Sequence, residues 1–231
     1  ETLVGIWGVG LAPTGDKDPY ALRRHALGIC RLLLEKNLSL SLPELIELAR
    51  KQFPQKDVQE KAQAEDIYAF IIDRLRAYLR DQAVAGKPFT SAEIDAVLSQ
   101  SPAQINDLIA RLAALREFNA LPQAPQLAAA NKRISNILKK TTTAIPAACS
   151  SKLLQIPAES ALYQALEAAT PALDAAYEKR QFVELLKALV ALSAPIDQFF
   201  ADVMVMDPNP ELRDNRLALL QQLHQKMNLV A

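Results

Sequence analysis

Helix-start signals recur along this chain and constrain its fold more than any other feature. Ser41 and Thr90 each precede a glutamate by three positions, a spacing at which two residues can cap a helix reciprocally. Asp18 and Asn209 each precede a proline, so that the first residue can cap a helix and the second can occupy its first position. With 6 glycines among 231 residues, a β-sandwich with many tight turns is disfavoured. We expect an all-α fold.

Apolar residues at helical spacing give the bounds of these helices. Helices are predicted over residues 20–36, 44–53, 57 to about 85, 90 onward, 101–118, 126–140, 158–179, 182–205 and 211–227. We expect a kink at Pro171 and an interruption at Pro195, because proline lacks the N–H that a helix interior needs. The stretch 141–157, with its small residues, threonines and prolines, is expected to form a long loop.

A short stretch with two prolines is the best candidate for a linker between domains. Pro122 and Pro125 lie within residues 121–125 and disfavour a continuous helix there. We therefore place one helical domain at residues 1–121 and another at 122–231. The simplest packing for the second domain is a bundle of four or five helices.

Charge and cysteine content exclude several classes of protein. The 26 lysines and arginines balance 26 aspartates and glutamates, which excludes a strongly basic nucleic-acid coat and an acidic disordered tail. No apolar run approaches the roughly 18 to 20 residues that span a bilayer, so we expect no membrane partner. Cys30 and Cys149 lie far apart in the sequence, which indicates no disulfide framework and favours a reducing compartment.

The sequence offers no defensible catalytic or metal site. Neither of its 2 histidines lies near an activated nucleophile in the sequence or at zinc-ligand spacing from a cysteine. Gly15 and Lys17 suggest a phosphate loop, but Asp16 lies between them, where the motif allows no residue. We expect no catalysis, no metal and no cofactor in this chain alone.

One predicted helix carries positive charge without compensation. Between Glu117 and Glu159 the sequence holds five basic side chains and no acidic one, so this stretch carries +5 in a neutral chain. The polar face of the helix over 126–140 combines the following residues: Lys132, Arg133, Asn136, Lys139 and Lys140. Such side chains suit the phosphates and base edges of nucleic acid. The pattern fits either a nucleic-acid surface or a solvated basic face that binds nothing.

Five stretches of the chain resemble one family, in order and over essentially the whole length. They are residues 2–10, 13–24, 129–138, 199–206 and 211–220. The family is that of the β subunits of bacterial glycyl-tRNA synthetases, and the resemblance implies that the chain is the C-terminal third of a longer subunit. It also implies that residues 1–121 end a helical domain related to the HD phosphohydrolases. Residues 122–231 would be a DALR-type anticodon-binding domain.

The sequence departs from the family pattern at two points. The His-Asp metal dyad of HD domains is absent, so phosphohydrolase chemistry is not expected. The Asp-Ala-Leu-Arg tetrapeptide survives only as Glu211-Leu212-Arg213. The resemblance places glycylation, with its ATP and Mg, on a separate α subunit in the bacterial cytoplasm. It implies tRNAGly and this α subunit as partners, and neither DNA nor a membrane.

The resemblance makes the basic helix a tRNA-binding hypothesis, in which this region docks the anticodon arm while the α subunit charges the acceptor end. Unpaired anticodon bases can splay out and present their edges to side chains. Lys132, Lys139 and Lys140 would contact phosphates, and Asn136 and Arg133 would reach base edges.

The last predicted helix adds Arg213 and Arg216 as candidate tRNA contacts. Arg213 has an equally good alternative role as an internal ion pair that holds its helix to its neighbours. The same alternative is open for Arg133, because it flanks the apolar face of its own helix. Two other functions stay open. One is a helical interaction module for subunit assembly without anticodon contact, which the zero net charge favours. The other is a degenerate HD hydrolase, which predicts a bound metal.

Overall fold

The computed structural model describes residues 1–13 and 17–231. Gly15 and Asp16, on which the comparison with a phosphate loop rests, lie outside the described residues. Across the described ranges the chain forms twelve α-helices, one 3-10 turn and one hairpin of two very short strands. The all-α prediction is confirmed. Among these helices, none combines the length and the apolar character needed to cross a bilayer.

The chain divides into two compact units, Glu1–Ala113 and Ala114–Ala231. The first unit contains α1 (Thr2–Gly8), α2 (Leu22–Glu35), α3 (Leu42–Lys51), α4 (Lys56–Lys61), α5 (Ala64–Arg80), β1 (Ala83–Val84), β2 (Lys87–Pro88) and α6 (Ser91–Leu98). The division falls within α7 (Leu108–Asn119). The second unit continues with α8 (Ala124–Lys140), a 3-10 turn (Ser151–Leu153), α9 (Pro157–Glu178), α10 (Phe182–Val190), α11 (Ser193–Asp202) and α12 (Pro210–Met227). The predicted domain boundary at 121–122 lies between α7 and α8.

Helices α2 and α5 form the centre of the first unit. Ala26 and Cys30 on α2 have no exposed surface, and Ile71 on α5 is 1% exposed. The thiol of Cys30 donates to the carbonyl oxygen of Ile71 at 3.7 Å. Burial raises the pKa of the Cys30 thiol to about 12, so this cysteine is a packed apolar residue and not a nucleophile.

The reciprocal cap predicted at Thr90 is confirmed, and at Ser41 one half of the predicted reciprocal cap forms. The backbone N–H of Thr90 donates to the carboxylate of Glu93 at 2.7 Å, and the N–H of Glu93 donates to the hydroxyl of Thr90 at 3.2 Å. The hydroxyl of Ser41 accepts from the third residue of its helix at 3.3 Å. Asn209 caps α12 through its side-chain oxygen, and the next residue is the proline at the first helical position, as predicted.

The start of α2 differs from the prediction. The carboxylate of Asp18 accepts from the N–H groups of Leu22 and Arg23, at 2.8 and 3.0 Å. These bonds cap a helix that begins at Leu22, four residues after the carboxylate, so Pro19 lies in a turn and not at the first helical position. Ala21 closes this turn with a φ of 53°. Because these N–H bonds favour the charged carboxylate, the pKa of Asp18 is lowered, although desolvation is the largest single influence and acts in the opposite direction.

Two predicted helices in the first unit are shorter than expected. The helix predicted from 57 to about 85 is two helices, α4 and α5, followed by a hairpin whose turn holds Ala85 and Gly86 at φ of 52° and 74°. The helix predicted from Ser101 begins only at Leu108, because Ser101 takes a φ of 48° and Ala103 accepts a backbone hydrogen bond from the start of α3.

The second unit packs α8 to α12 around one apolar core. Leu162 and Leu173 on α9, Phe199 on α11 and Leu220 on α12 have no exposed surface. Pro171 lies inside α9 without ending it. The predicted helix 182–205 is two helices that separate at residues 191–192, before Pro195, because a proline is accommodated in the first turn of α11. The predicted loop over 141–157 is confirmed, apart from its 3-10 turn and the proline that begins α9.

Candidate nucleic-acid interface

Helix α8 is held by one apolar face and presents the opposite face to solvent. Leu127, Ala130 and Ile134 are at most 8% exposed and join the core of the second unit. They recur at spacings of three and four, which places them on one side of the helix. The residues on the opposite side, among them Lys132, Arg133 and Asn136, are exposed.

Four of the predicted tRNA contacts line one shallow depression of about 320 Å³ on this outer face. They are Lys132, Arg133, Asn136 and Lys140, and all four are exposed. Ala129 and Ile137 complete the wall of the depression, so its floor has apolar carbon between the polar groups. Lys139 is exposed but does not line the depression.

The charge of this face is not neutralised by neighbouring carboxylates. Among the described residues, none of the three lysines of α8 forms an ion pair within 4 Å. An acidic side chain meets α8 near its opposite end, where Gln126 donates to the carboxylate of Asp197. The positive potential is therefore concentrated on the C-terminal half of the helix, where a polyanion would be attracted.

Arg133 differs from the lysines because an aromatic ring supports it. Its guanidinium carbon lies 4.1 Å from the centre of the Phe200 ring on α11. Phe200 in turn contacts the buried ring of Phe199 edge-to-face, at 5.6 Å between ring centres. This arrangement gives α8 one arginine supported by an aromatic ring beside its exposed lysines.

The structure corrects the placement of Arg216, which was expected at the tRNA surface. The Arg216 side chain is 4% exposed and donates to the buried carboxylate of Glu159 on α9. It also donates to Asp207 at 2.6 Å and to the carbonyl oxygen of Met204 at 3.0 Å. These bonds direct the guanidinium into the unit and away from any external ligand. Arg216 is thus the internal ion pair that the sequence suggested for Arg213.

Arg213 remains at the surface of α12. Its side chain is 27% exposed, and its one charged contact is with the adjacent Asp214 at 3.4 Å. A contact of this length between neighbouring surface residues contributes little. Arg213 is therefore accessible to a ligand, but it does not line the depression on α8.

Sequence reasoning missed the polar contacts that fix α8 against α12. The side chains of Asn131 and Asn228 donate to each other's carbonyl oxygens at 3.0 and 3.1 Å. One helical turn away, the hydroxyl oxygen of Ser135 lies 2.6 Å from Nε2 of His224. The two pairs are four residues apart in both segments, with Asn228 directly after the last residue of α12, and that matched spacing of polar residues is the signal that the sequence contained.

The histidine of this contact is electrostatically constrained. Burial is the larger influence and the charge of Lys139 the smaller, and both lower the pKa of His224. A neutral imidazole is thus favoured between the two helices. The charge of Lys139 thus reaches the contact between α8 and α12.

The side chains that commonly bind metal ions do not cluster in the part of the chain that the structure describes. Within it, no group of three or more His, Cys, Asp and Glu side chains is placed to hold a metal ion. Both cysteines are buried, and burial raises the pKa of Cys149 to about 11. The residues predicted to bind nucleic acid are therefore the best candidates for a functional site.

Comparison with known proteins supports the two halves separately. Residues 1–99 match the family model of the glycyl-tRNA synthetase beta subunit, and residues 127–230 match that of the DALR anticodon binding domain. The second match covers α8 to α12, apart from the first turn of α8, and includes the whole depression.

Individual relatives agree with these matches. The glycine–tRNA ligase beta subunit of Ralstonia nicotianae is 51% identical over 100% of this chain, which covers 32% of that protein. Those of Dechloromonas aromatica and Leptothrix cholodnii are each 49% identical over 100% of this chain, covering 32% and 31% of their lengths. The chain thus spans about a third of the length of these relatives. Its assignment to their C-terminal third stays a prediction. The chain belongs to the family of glycyl-tRNA synthetase beta subunits and contains their DALR anticodon-binding domain.

Proposed function

We propose that the exposed face of α8 binds the anticodon arm of tRNAGly. In this proposal the chain is part of the β subunit of an α/β glycine–tRNA ligase, whose α subunit carries out the ATP-dependent glycylation. The observation that carries the proposal is the depression on α8, which gathers Lys132, Arg133, Asn136 and Lys140 within the DALR match.

The chemistry of the depression suits single-stranded RNA. Lys132 and Lys140 supply mobile charges that can follow phosphates, and each neutralised phosphate releases counterions. Asn136 offers both a donor and an acceptor, which is the requirement for recognising a base edge. Arg213 on α12 is retained as a candidate contact, and so is Lys139 near the depression. Arg216 is left out because its donors are used inside the unit.

The proposal is tested by changing one lysine in the assembled synthetase. Lys140→Ala should weaken tRNAGly binding and reduce the slope of log K against log salt by roughly 0.7 to 0.9, the contribution of one phosphate contact. Filter binding between about 50 and 200 mM salt measures both quantities.

A matched control separates this contact from a general loss of charge. Lys187→Ala removes a lysine of the same unit that is 52% exposed and lies on α10, beside Glu184. It should leave both the affinity and the slope unchanged. If Lys140→Ala behaves like Lys187→Ala, then α8 is not the phosphate-binding surface.

A second candidate function, assembly with the α subunit, is favoured by an apolar groove in the first unit. The groove has a volume of about 560 Å³, and Leu32, Leu40 and Leu48 on its wall are 54%, 45% and 56% exposed. Exposed leucines gathered in one groove are typical of protein interaction sites. Leu32→Ser combined with Leu48→Ser should weaken copurification with the α subunit but leave tRNA binding by the isolated β subunit intact. Unchanged copurification would contradict this role.

A further inference from the structure

A series of three side chains connects the core of the second unit to the depression on α8. Phe199 has no exposed surface and is fixed by the packing around it. The ring of Phe200 lies 5.6 Å from it at an interplanar angle of 78°. The guanidinium carbon of Arg133 lies over the same Phe200 ring, 4.1 Å from its centre. Packing in the core therefore fixes the Phe200 ring, and this ring restricts the orientation of the Arg133 side chain.

This support changes what the arginine can contribute to binding. An unsupported surface arginine samples many rotamers, and ordering it on a ligand is entropically unfavourable. A guanidinium that already lies on a ring keeps its plane and its N–H directions before the ligand arrives. Arg133 is thus preorganised, in contrast to Lys132 beside it.

The N–H groups of this guanidinium are available to a ligand. Within the described ranges no carboxylate pairs with Arg133, and its contact with Phe200, 4.1 Å from the guanidinium carbon to the ring centre, uses none of its N–H groups in a hydrogen bond. Asn136 lines the same depression one helical turn further along α8. A planar fork of donors can pair with two neighbouring acceptors on the edge of a base, and an adjacent amide can add a further donor or acceptor to the same edge.

We propose that Phe200 is a positioning residue that holds Arg133 to recognise an unpaired base of the anticodon loop. The base offers two neighbouring acceptors, as cytosine does with O2 and N3 and guanine with O6 and N7. This inference rests on the proposed function of α8. Arg133 and Phe200 provide selectivity between bases, whereas Lys132 and Lys140 provide affinity that does not depend on the base.

The test measures discrimination between loops and not affinity alone. The probes are tRNAGly transcripts with single substitutions in the anticodon loop. A change of cytosine to uridine turns the N3 acceptor into a donor, and a change of guanine to adenine replaces the O6 acceptor by an amino donor. The assembled synthetase should bind unsubstituted tRNAGly roughly ten- to hundredfold more tightly than a transcript in which the recognised base is changed. Whether the weakly bound transcript carries the cytosine-to-uridine or the guanine-to-adenine change identifies that base.

Phe200→Leu should reduce this discrimination by about tenfold, because leucine keeps an apolar contact with Phe199 but offers no face for the guanidinium. Phe200→Tyr should retain it, because the ring is kept. Arg133→Lys should lose discrimination, as Phe200→Leu does, because lysine has a positive charge but lacks the paired N–H donors of a guanidinium. Arg133→Lys lies on the surface, so its result does not depend on the packing that Phe200→Leu disturbs.

A matched control is Tyr177→Leu, which removes another partly exposed ring in an edge contact with a phenylalanine, at 6.3 Å. It should leave discrimination unchanged. If Lys140→Ala weakens binding while Phe200→Leu and Arg133→Lys keep full discrimination, the positioning role is wrong and the proposed function stands. If Lys140→Ala has no effect either, the proposed function itself fails.

Discussion

Removal of the buried guanidinium of Arg216 is expected to be the most destabilising loss of a single charge in the second unit. Arg216→Met removes its bonds to Glu159, Asp207 and a backbone carbonyl, and methionine fills a similar volume. The change leaves the carboxylate of Glu159, whose side chain is 1% exposed, without its counter-charge. Breaking a buried pair in this way costs about 3 to 5 kcal/mol.

Two features place the expected loss at the lower end of that range. Glu159 keeps two backbone N–H donors at the start of α9, at 2.7 and 2.9 Å. Asp207 is 20% exposed and can be solvated when the arginine is gone. We therefore expect a loss of about 3 kcal/mol in the free energy of unfolding of the second unit.

The assay is urea unfolding followed by far-UV circular dichroism. Arg213→Met on the same helix is the matched control, because its side chain is 27% exposed and its charged contact is 3.4 Å long. It should change stability by less than about 0.5 kcal/mol. The fluorescence of Trp7, the single tryptophan, reports the first unit and serves as an internal reference. If Arg216→Met is no more destabilising than Arg213→Met, the account of the buried pair is refuted.

Smaller perturbations test other parts of the structure. Burial and a nearby lysine lower the pKa of His224, so the imidazole binds a proton more readily in the unfolded chain than in the folded one. The free energy of unfolding should therefore fall as the pH drops below 6.5. Urea unfolding at a series of pH values around 6.5 should show this loss in wild type and in His25→Gln, and a smaller loss in His224→Gln. Burial raises the pKa of Cys149 to about 11, so a thiol reagent at neutral pH should label it far more slowly than free cysteine, and equal rates would contradict its burial. A methyl group at Gly8 would lie 2.2 Å from a valine on α4, so Gly8→Ala should lower the free energy of unfolding by roughly 1 to 3 kcal/mol, whereas Gly28→Ala, with open space around it, should not.

Local chemistry explains which parts of the fold could be predicted. The cap at Thr90 and the cap at Asn209 each involve partners within three residues, so the sequence contains the whole interaction. The break between α4 and α5 and the hairpin after α5 carry weaker signals, because the backbone turns there at alanines. Ala85 adopts a φ of 52°, a conformation that alanine seldom takes, and only its neighbour Gly86 indicates a turn.

The residues of the candidate site also differ in how far the sequence predicts them. The basic face of α8 depends on helical periodicity alone, so the four residues that line the depression could be predicted together. The burial of Arg216 could not, because Glu159 lies 57 residues away in sequence and nothing in either segment marks the pair. The stacking of Arg133 on Phe200 likewise depends on how α8 and α11 pack. Neighbours on one helix are predictable from spacing, whereas contacts between helices require the fold.

The contrast between Arg216 and α8 also shows why the zero net charge is a poor guide to function. In the second unit, Glu159 and Asp207 neutralise an arginine that no ligand can reach. Among the described residues, the lysines of α8 have no such partners. Positive and negative side chains thus cancel in the net charge of the chain although they lie at different places on it. An approaching polyanion responds to the local electric field within about 10 Å and not to the net charge. Neutrality therefore favours the assembly role no more than the RNA-binding role, and the uncompensated face of α8 favours the latter.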